Sequence, residues 1–267
     1  MDVLNKGKSP DIFGITIEHL LNADEVILEF LLHIYNTMLN NGEVPNAIKK
    51  GLLSPVFKKK GSKKLENYYR GIIVLPVINK IPEAIIKLRI QPQILKMQNP
   101  SQRGFTANTS PLNASFIIEE LKRNAKDEKT PVITVLLDAK SAFDVVDLYH
   151  LLRRLYQTGI NDKLWSLFNS LHQGESSVVK WMGHESSAFE VTQGVRQGGI
   201  LSADLYKIYV NPLLDRLNHT GLGAKIGNII CNTSVCADDV TLNSFKSYGL
   251  WIIWAQWARP RNLLTTF

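Results

Sequence analysis

Residues 231–242, CNTSVCADDVTL, set two adjacent carboxylates, Asp238 and Asp239, between short apolar runs. Val235-Cys236-Ala237 precedes them and Val240-Thr241-Leu242 follows. An acidic pair in that position reads as the tip of a β-hairpin with its charges at the turn. Asp is also a common turn former, so the pair taken alone reads as readily as a solvated turn. A third carboxylate changes the balance. Asp138 ends the apolar run Val132-Ile133-Thr134-Val135-Leu136-Leu137 and is followed by Ala-Lys-Ser-Ala-Phe-Asp. If the two strands are neighbours, three carboxylates meet at one sheet edge. Like charges repel there, and a divalent metal pair is the physical reason to gather them.

The bulk numbers frame this reading without deciding it. The 267 residues are 45% hydrophobic, enough for one large core or two modest ones. A net charge of +7 alongside an acidic cluster suits a polyanionic partner whose reacting phosphates are handled by metal. The two cysteines, Cys231 and Cys236, exclude a disulfide framework and a four-ligand zinc site and fit a reducing compartment. No apolar run reaches the roughly 18 residues of a membrane span, so the sequence predicts an intracellular protein, in cytoplasm or nucleus.

Outward from the hairpin, the patterning predicts alternating helical and extended segments. Asn22 is expected to cap a helix whose inner face carries Val26, Ile27, Phe30, Leu31, Ile34 and Met38, stopped at Asn40-Asn41-Gly42. A strand over residues 51–57 leads into the basic run from Lys58 to Lys64. That run reads either as a solvated loop or as a mobile loop that meets phosphates. Arg70, flanked by aromatics and a strand, reads either as a bidentate grip on a triphosphate or, equally, as a side chain stacked on Tyr69 with no ligand. A helix around residues 83–90 is expected between Pro82 and Pro92. Ser110-Pro111 opens another, with Leu112, Phe116, Ile117 and Leu121 inward. After the strand ending at Asp138, helices follow over Leu148–Leu155 and Leu164–Leu171, with Asp144 and Asn161 as their caps. Three glycines within residues 192–200 allow close backbone approach to a ligand. A helix over residues 202–217 and a strand over 226–230 complete the approach to the acidic hairpin. Helices over a largely antiparallel sheet with acidic strand ends make an α+β arrangement. The three Trp side chains of residues 251–257 are expected on one helical face, either packed or cut from its context.

With these segments in order, the chain resembles the reverse transcriptase domain of non-LTR, LINE-type retrotransposons over most of its length. GKSPDIFGITIEHL resembles the N-terminal motif of that family, PVFKKKGSKKLENYYRGIIVLPVINKI its fingers segment, and SQRGFTANTS its next landmark. LLDAKSAFDVV, GVRQGGILSADLYKIYVNPLL and CADDV are similar to its three palm motifs. The resemblance implies a right-hand polymerase fold: fingers and a partial palm, an antiparallel sheet backed by helices, and no thumb. It implies that Asp138, Asp238 and Asp239 are the catalytic, metal-binding carboxylates of an RNA-directed DNA polymerase. Phe143 would exclude a ribose 2′-hydroxyl, Gln197 and Gly198 would line the nucleotide and template pocket, and Arg70 would contact the triphosphate with help from Lys58 or Lys60. Two Mg²⁺ ions, replaceable by Mn²⁺, are the implied cofactors. An RNA template, a DNA primer and dNTPs are the implied partners.

The chain also departs from the family pattern. Cys236 stands where a large aromatic precedes the acidic pair, and Phe13 where an Asp precedes Gly14. Pro82 falls within a helical segment and is expected to end it early. No family motif is recognisable after residue 249. The expected organisation is therefore fingers and lead-in region over 1–130, interleaved with palm elements, palm over 131–249, and an atypical Trp-rich tail over 250–267. A retrotransposon fragment is expected, with a catalytically inactive nucleic-acid-binding remnant or a protein-interaction module as the alternatives.

Overall fold

The computed structural model describes residues 6–139 and 141–245. The Trp-rich tail lies outside the described residues. The chain divides into two compact units that interleave in sequence: Met1–Gln93 with Leu148–Ser202, and Ile94–Asp147 with the described residues from Ala203 onward. The fold is mixed α+β.

The first unit opens with α1 (Ile17–Leu21), α2 (Glu25–Asn41), β1 (Lys50–Phe57), β2 (Tyr69–Val74) and α3 (Val77–Met97), the last four residues of α3 passing into the second unit. The chain then supplies α4 (Pro111–Asp127) and β3 (Ile133–Asp138) to the second unit. It returns to the first with α5 (Leu148–Gln157), α6 (Asp162–His172), β4 (Ser176–Trp181), β5 (His184–Glu185) and β6 (Phe189–Glu190). The second unit is completed by α7 (Ser202–His219, of which Ser202 is counted with the first), β7 (Lys225–Ile226), β8 (Ile229–Ile230), β9 (Thr233–Cys236) and β10 (Asp239–Ser244).

In the first unit β1 pairs antiparallel with β2 but parallel with β4, so this sheet is mixed rather than antiparallel. The sequence separation of β1 and β4 permits a parallel neighbour, which no hairpin does. Its core gathers Leu31, Tyr35 and Met38 of α2 with Ile86 and Ile90 of α3, Leu167 and Phe168 of α6, and Leu151 and Leu155 of α5. Asp24, not Asn22, caps α2, its carboxylate accepting from the Ile27 N–H at 3.1 Å. Asn22 instead closes α1. Gly42 ends α2 in the left-handed region at φ 71°, as its sequence suggested. The expected inner face of α2 is only partly correct. Val26, Ile27, Phe30 and Ile34 are exposed, while Leu31, Tyr35 and Met38 are buried. Apolar residues ring this helix, so periodicity alone does not select the packed stripe.

Pro82 and Pro92 both lie inside α3, and neither ends it. A proline at position 82 leaves the Ile78 carbonyl without its helical donor. The buried Tyr35 hydroxyl donates to that carbonyl at 2.9 Å and repairs the gap. The start of α3 is tied to the N-terminal motif: the Asp11 carboxylate accepts from the backbone N–H groups of Phe13, Ile15 and Val77.

In the second unit β10 is the middle strand of an antiparallel sheet ordered β3-β10-β9. Leu137, Val235, Val240 and Leu242 are buried in it, and α4 contributes Ala114, Leu121 and Ala125. Leu121 packs with Ala224 and Cys231, while Leu112 and Phe116, expected inward, are exposed. The expected strand over 226–230 is instead a small hairpin, β7 with β8, turning at Gly227 (φ 56°). α5 begins at Leu148, which places Asp144 outside its cap position. No helix among the described residues is long and apolar enough to cross a membrane.

Candidate active site

The acidic residues come together through strand register. β3 and β10 run antiparallel with Asp138 opposite Asp239 and Leu137 opposite Val240. Directly opposed residues of such a ladder have Cβ atoms roughly 4.5–5.5 Å apart. β9 and β10 pair Cys236 with Asp239, which leaves Ala237-Asp238 as a two-residue turn. The three carboxylates therefore share one end of one sheet, Asp138 and Asp239 exposed and Asp238 half-buried. Partial burial first, and then the charges of Asp238 and Asp138, raise the Asp239 carboxyl above its ordinary value. Burial followed by Asp239 and Asp238 likewise raises the Cys236 thiol.

Three hard carboxylates are the donor type that Mg²⁺ takes. Among the described residues, however, no group of three or more His, Cys, Asp or Glu side chains is arranged to hold a metal ion. The carboxylates meet at one sheet end, where like charges repel. The donor chemistry and the backbone placement fit a divalent cation. The side-chain arrangement stops short of a coordination shell.

An aromatic wall stands beside the acids. Phe143 stacks on Tyr206 of α7, with ring centroids 5.0 Å apart and planes at 23°, and Phe105 meets its edge at 6.2 Å. Tyr206 is buried, and burial together with the charges of Asp238, Asp138 and Asp239 raises its hydroxyl pKa. Tyr206 was not singled out in the sequence. Its signal there is only an apolar position in the helix after the glycine loop.

The hairpin tip is held from one side by residues 101–104. Gln102, 2% exposed, accepts from the Ala237 N–H at 3.0 Å through Oε1 and donates to the Ala237 carbonyl at 3.2 Å through Nε2. The Arg103 N–H donates to the Val235 carbonyl and the Val235 N–H to the Ser101 carbonyl. Ala237 itself sits at φ 61°, a left-handed conformation that costs an L-residue about 1–2 kcal/mol. Gln102 and Gly104 fall in a quoted motif, but nothing in their types alone marks them as neighbours of the acidic pair.

The remaining site residues predicted from sequence belong to the first unit. Arg70 is exposed on β2, opposite Val56 of β1. Lys58 donates its ammonium to the Asn67 carbonyl at 2.9 Å, and Lys60 is exposed. The basic loop is anchored further by the Tyr69 hydroxyl, which donates to the Lys63 carbonyl, and by Lys63 Nζ, 5.7 Å from the Phe57 ring centroid. The Gln197 carbonyl accepts from the Ile73 N–H at 2.8 Å. Gly198 has φ 127°, and a Cβ there would lie 2.4 Å from the Ile73 oxygen, so only glycine fits. Gly198, Ile73 and Ile200 line a cleft of about 530 Å³ that Lys8, Lys80 and Lys87 render basic. Beneath the glycine loop, the buried Glu83 accepts from the Ile200 N–H at 2.7 Å and from Asn79 Nδ2 at 3.1 Å. Burial raises Glu83 to about 7 despite those bonds. Arg196 Nε pairs with buried Glu175 at 2.9 Å nearby.

The chain is similar to known proteins in sequence and in fold. The chain is 28% identical over 251 residues to the Pol polyprotein of the type-2 retrotransposable element R2DM of Drosophila melanogaster, covering 94% of this chain and 23% of that protein. It is 26% identical over 237 residues to an uncharacterized 149 kDa protein of transposon TX1 from Xenopus laevis, covering 88% of this chain and 18% of that protein. The chain thus spans about a fifth of the length of these relatives. Its fold is similar to that of apo telomerase from Candida tropicalis, with a TM-score of 0.58 at 13% identity over 90% of this chain and 47% of that one. The family model for reverse transcriptase (RNA-dependent DNA polymerase) matches residues 57–254, and the chain belongs to that family.

Proposed function

We propose that the chain carries fingers and palm elements of a retrotransposon RNA-directed DNA polymerase, which adds nucleotides from dNTPs to a DNA primer on an RNA template. The observation that carries this reading is the register of Asp138 against Asp239 with Asp238 in the adjoining turn. Fingers are assigned to residues 1–130, interleaved with palm elements, and palm to 131–249, on motif order. Asp138, Asp238 and Asp239 would hold two Mg²⁺ ions, which, when bound, make the primer oxygen nucleophilic and neutralise the leaving pyrophosphate. The chain's own residues supply placement. The paired strands hold the carboxylates at one sheet end. The Phe143 ring, which stacks on Tyr206, would exclude a 2′-hydroxyl. Roles for Arg70, Lys58, Lys60, Gln197 and Gly198 at the triphosphate and template rest on the motif resemblance.

The test is single-nucleotide extension of a DNA primer on an RNA template with Mg²⁺, comparing the chain with Asp239→Asn. Extension by the chain and its loss in the variant support the reading. Equal signals in both would overturn it. In the same assay Phe143→Ala is expected to narrow the preference for dNTP over rNTP, and an unchanged preference would return Phe143 to a packing role.

A further inference from the structure

We propose that Gln102, with Gly104, is a positioning residue of the reaction: it fixes the Ala237-Asp238 turn and thereby sets where Asp238 and Asp239 stand relative to Asp138. The inference rests on the polymerase reading of these carboxylates. The turn has little to hold it by itself. Two residues span it, and the first, Ala237, adopts a left-handed conformation that suits glycine in such hairpins. A strained conformation persists where its surroundings over-determine it. Here the Gln102 side-chain amide does so, engaging both the N–H and the carbonyl of Ala237. The same Oε1 accepts from the Gly104 N–H at 2.8 Å, which fixes the amide's orientation.

Gly104 makes this contact possible. A Cβ at position 104 would lie 2.0 Å from the Ala237 nitrogen and 2.6 Å from its Cα. The segment is also a rigid mount. The Asn99 N–H bonds Asn211 at 2.5 Å, Asn99 Nδ2 donates to Asp215 at 2.7 Å, and both partners lie on α7. Gln98 Nε2 donates to the Gln102 carbonyl at 2.9 Å and to Thr106 at 2.7 Å. A bracket of this kind, buried and directed at the backbone next to two acids, serves position rather than contact with substrate. Misplacing reacting groups by about 1 Å costs on the order of 100-fold in rate.

The experiment uses the full chain with Gln102→Met, which keeps the side-chain volume and removes the amide. Amide hydrogen exchange over residues 233–242, the melting midpoint, Mn²⁺ binding by electron paramagnetic resonance, and primer extension are read together. The expected result is faster exchange at Ala237 by about 10- to 100-fold, weaker Mn²⁺ binding, and a fall in kcat of similar size with the dNTP KM little changed. Adding Ala237→Gly is expected to restore part of the Mn²⁺ affinity and of the exchange protection at the neighbouring hairpin amides, because glycine adopts the turn unaided. Unchanged exchange and Mn²⁺ binding in Gln102→Met would overturn the proposal, as would a uniform rise in exchange across the chain without rescue. Gln102→Glu, which keeps the acceptor oxygen, is carried alongside. If both variants fail to fold, the role of Gln102 is structural and the proposal falls. If the unaltered chain extends no primer, the polymerase reading fails separately, while the exchange and Mn²⁺ measurements still judge the bracket.

Discussion

Glu83 shows how one buried group couples the glycine loop to solution conditions. Its carboxyl is raised from the ordinary 4.5 to about 7, chiefly because burial penalises the charge. Between those values the folded chain holds a proton that the unfolded chain has released, so the contribution is complete below pH 4.5 and is lost as pH rises through 7. At about 1.4 kcal/mol per pH unit the loss amounts to roughly 3 kcal/mol. Urea melts at pH 5 and pH 8 are expected to show lower stability at the higher pH. Glu83→Gln should flatten that dependence, since an amide carries no charge to bury and Asn79 can turn to face it. An unchanged pH dependence in the variant would assign the effect to other groups. A Glu within a proline-bounded helix carries no sequence signal of burial. Only packing reveals that it reaches the Ile200 amide.

At the scale of elements, α3 and the acidic hairpin fail and succeed for opposite reasons. The hairpin was readable because its turn, strands and charges are all local, and register then follows from pairing. α3 was misjudged because the feature that rescues Pro82 lies more than forty residues away, in the Tyr35 hydroxyl at the Ile78 carbonyl. Tyr35→Phe keeps the ring and leaves that carbonyl unpaired, and should destabilise the chain by about 1–2 kcal/mol. Pairing Tyr35→Phe with Pro82→Ala, which returns a helical donor to Ile78, is expected to recover most of that loss. Additive behaviour in the double variant would contradict the account. The hydroxyl itself is pushed well up in pKa by burial, so it remains a donor throughout the accessible pH range.

For the whole molecule, the basic balance is expected to act through phosphates. Binding to an RNA–DNA primer–template should weaken steeply as salt rises, with each neutralised phosphate adding about −0.9 to the log–log slope for duplex DNA. Lys60→Ala, on an exposed loop position, should reduce the magnitude of that slope by about one without altering the melting midpoint. A filter-binding titration from low to physiological salt measures it. A slope identical to the parent would remove Lys60 from the contact.

The sequence by itself determined the family, the order of its motifs, the acidic hairpin and the strand that ends in Asp138. Each of these is encoded by neighbours in the chain: alternating apolar residues, a turn, a glycine where backbones crowd. The tertiary structure decided what depends on distant partners. It made the first sheet mixed by bringing β4 beside β1, and it chose Leu31, Tyr35 and Met38 over the equally apolar Ile27, Phe30 and Ile34 as the buried face of α2. It stacked Phe143 on Tyr206, and it set Gln102 against Ala237 across 135 residues of sequence. A side chain's type limits which bonds it is able to make, but only the packed chain brings the donor to its acceptor.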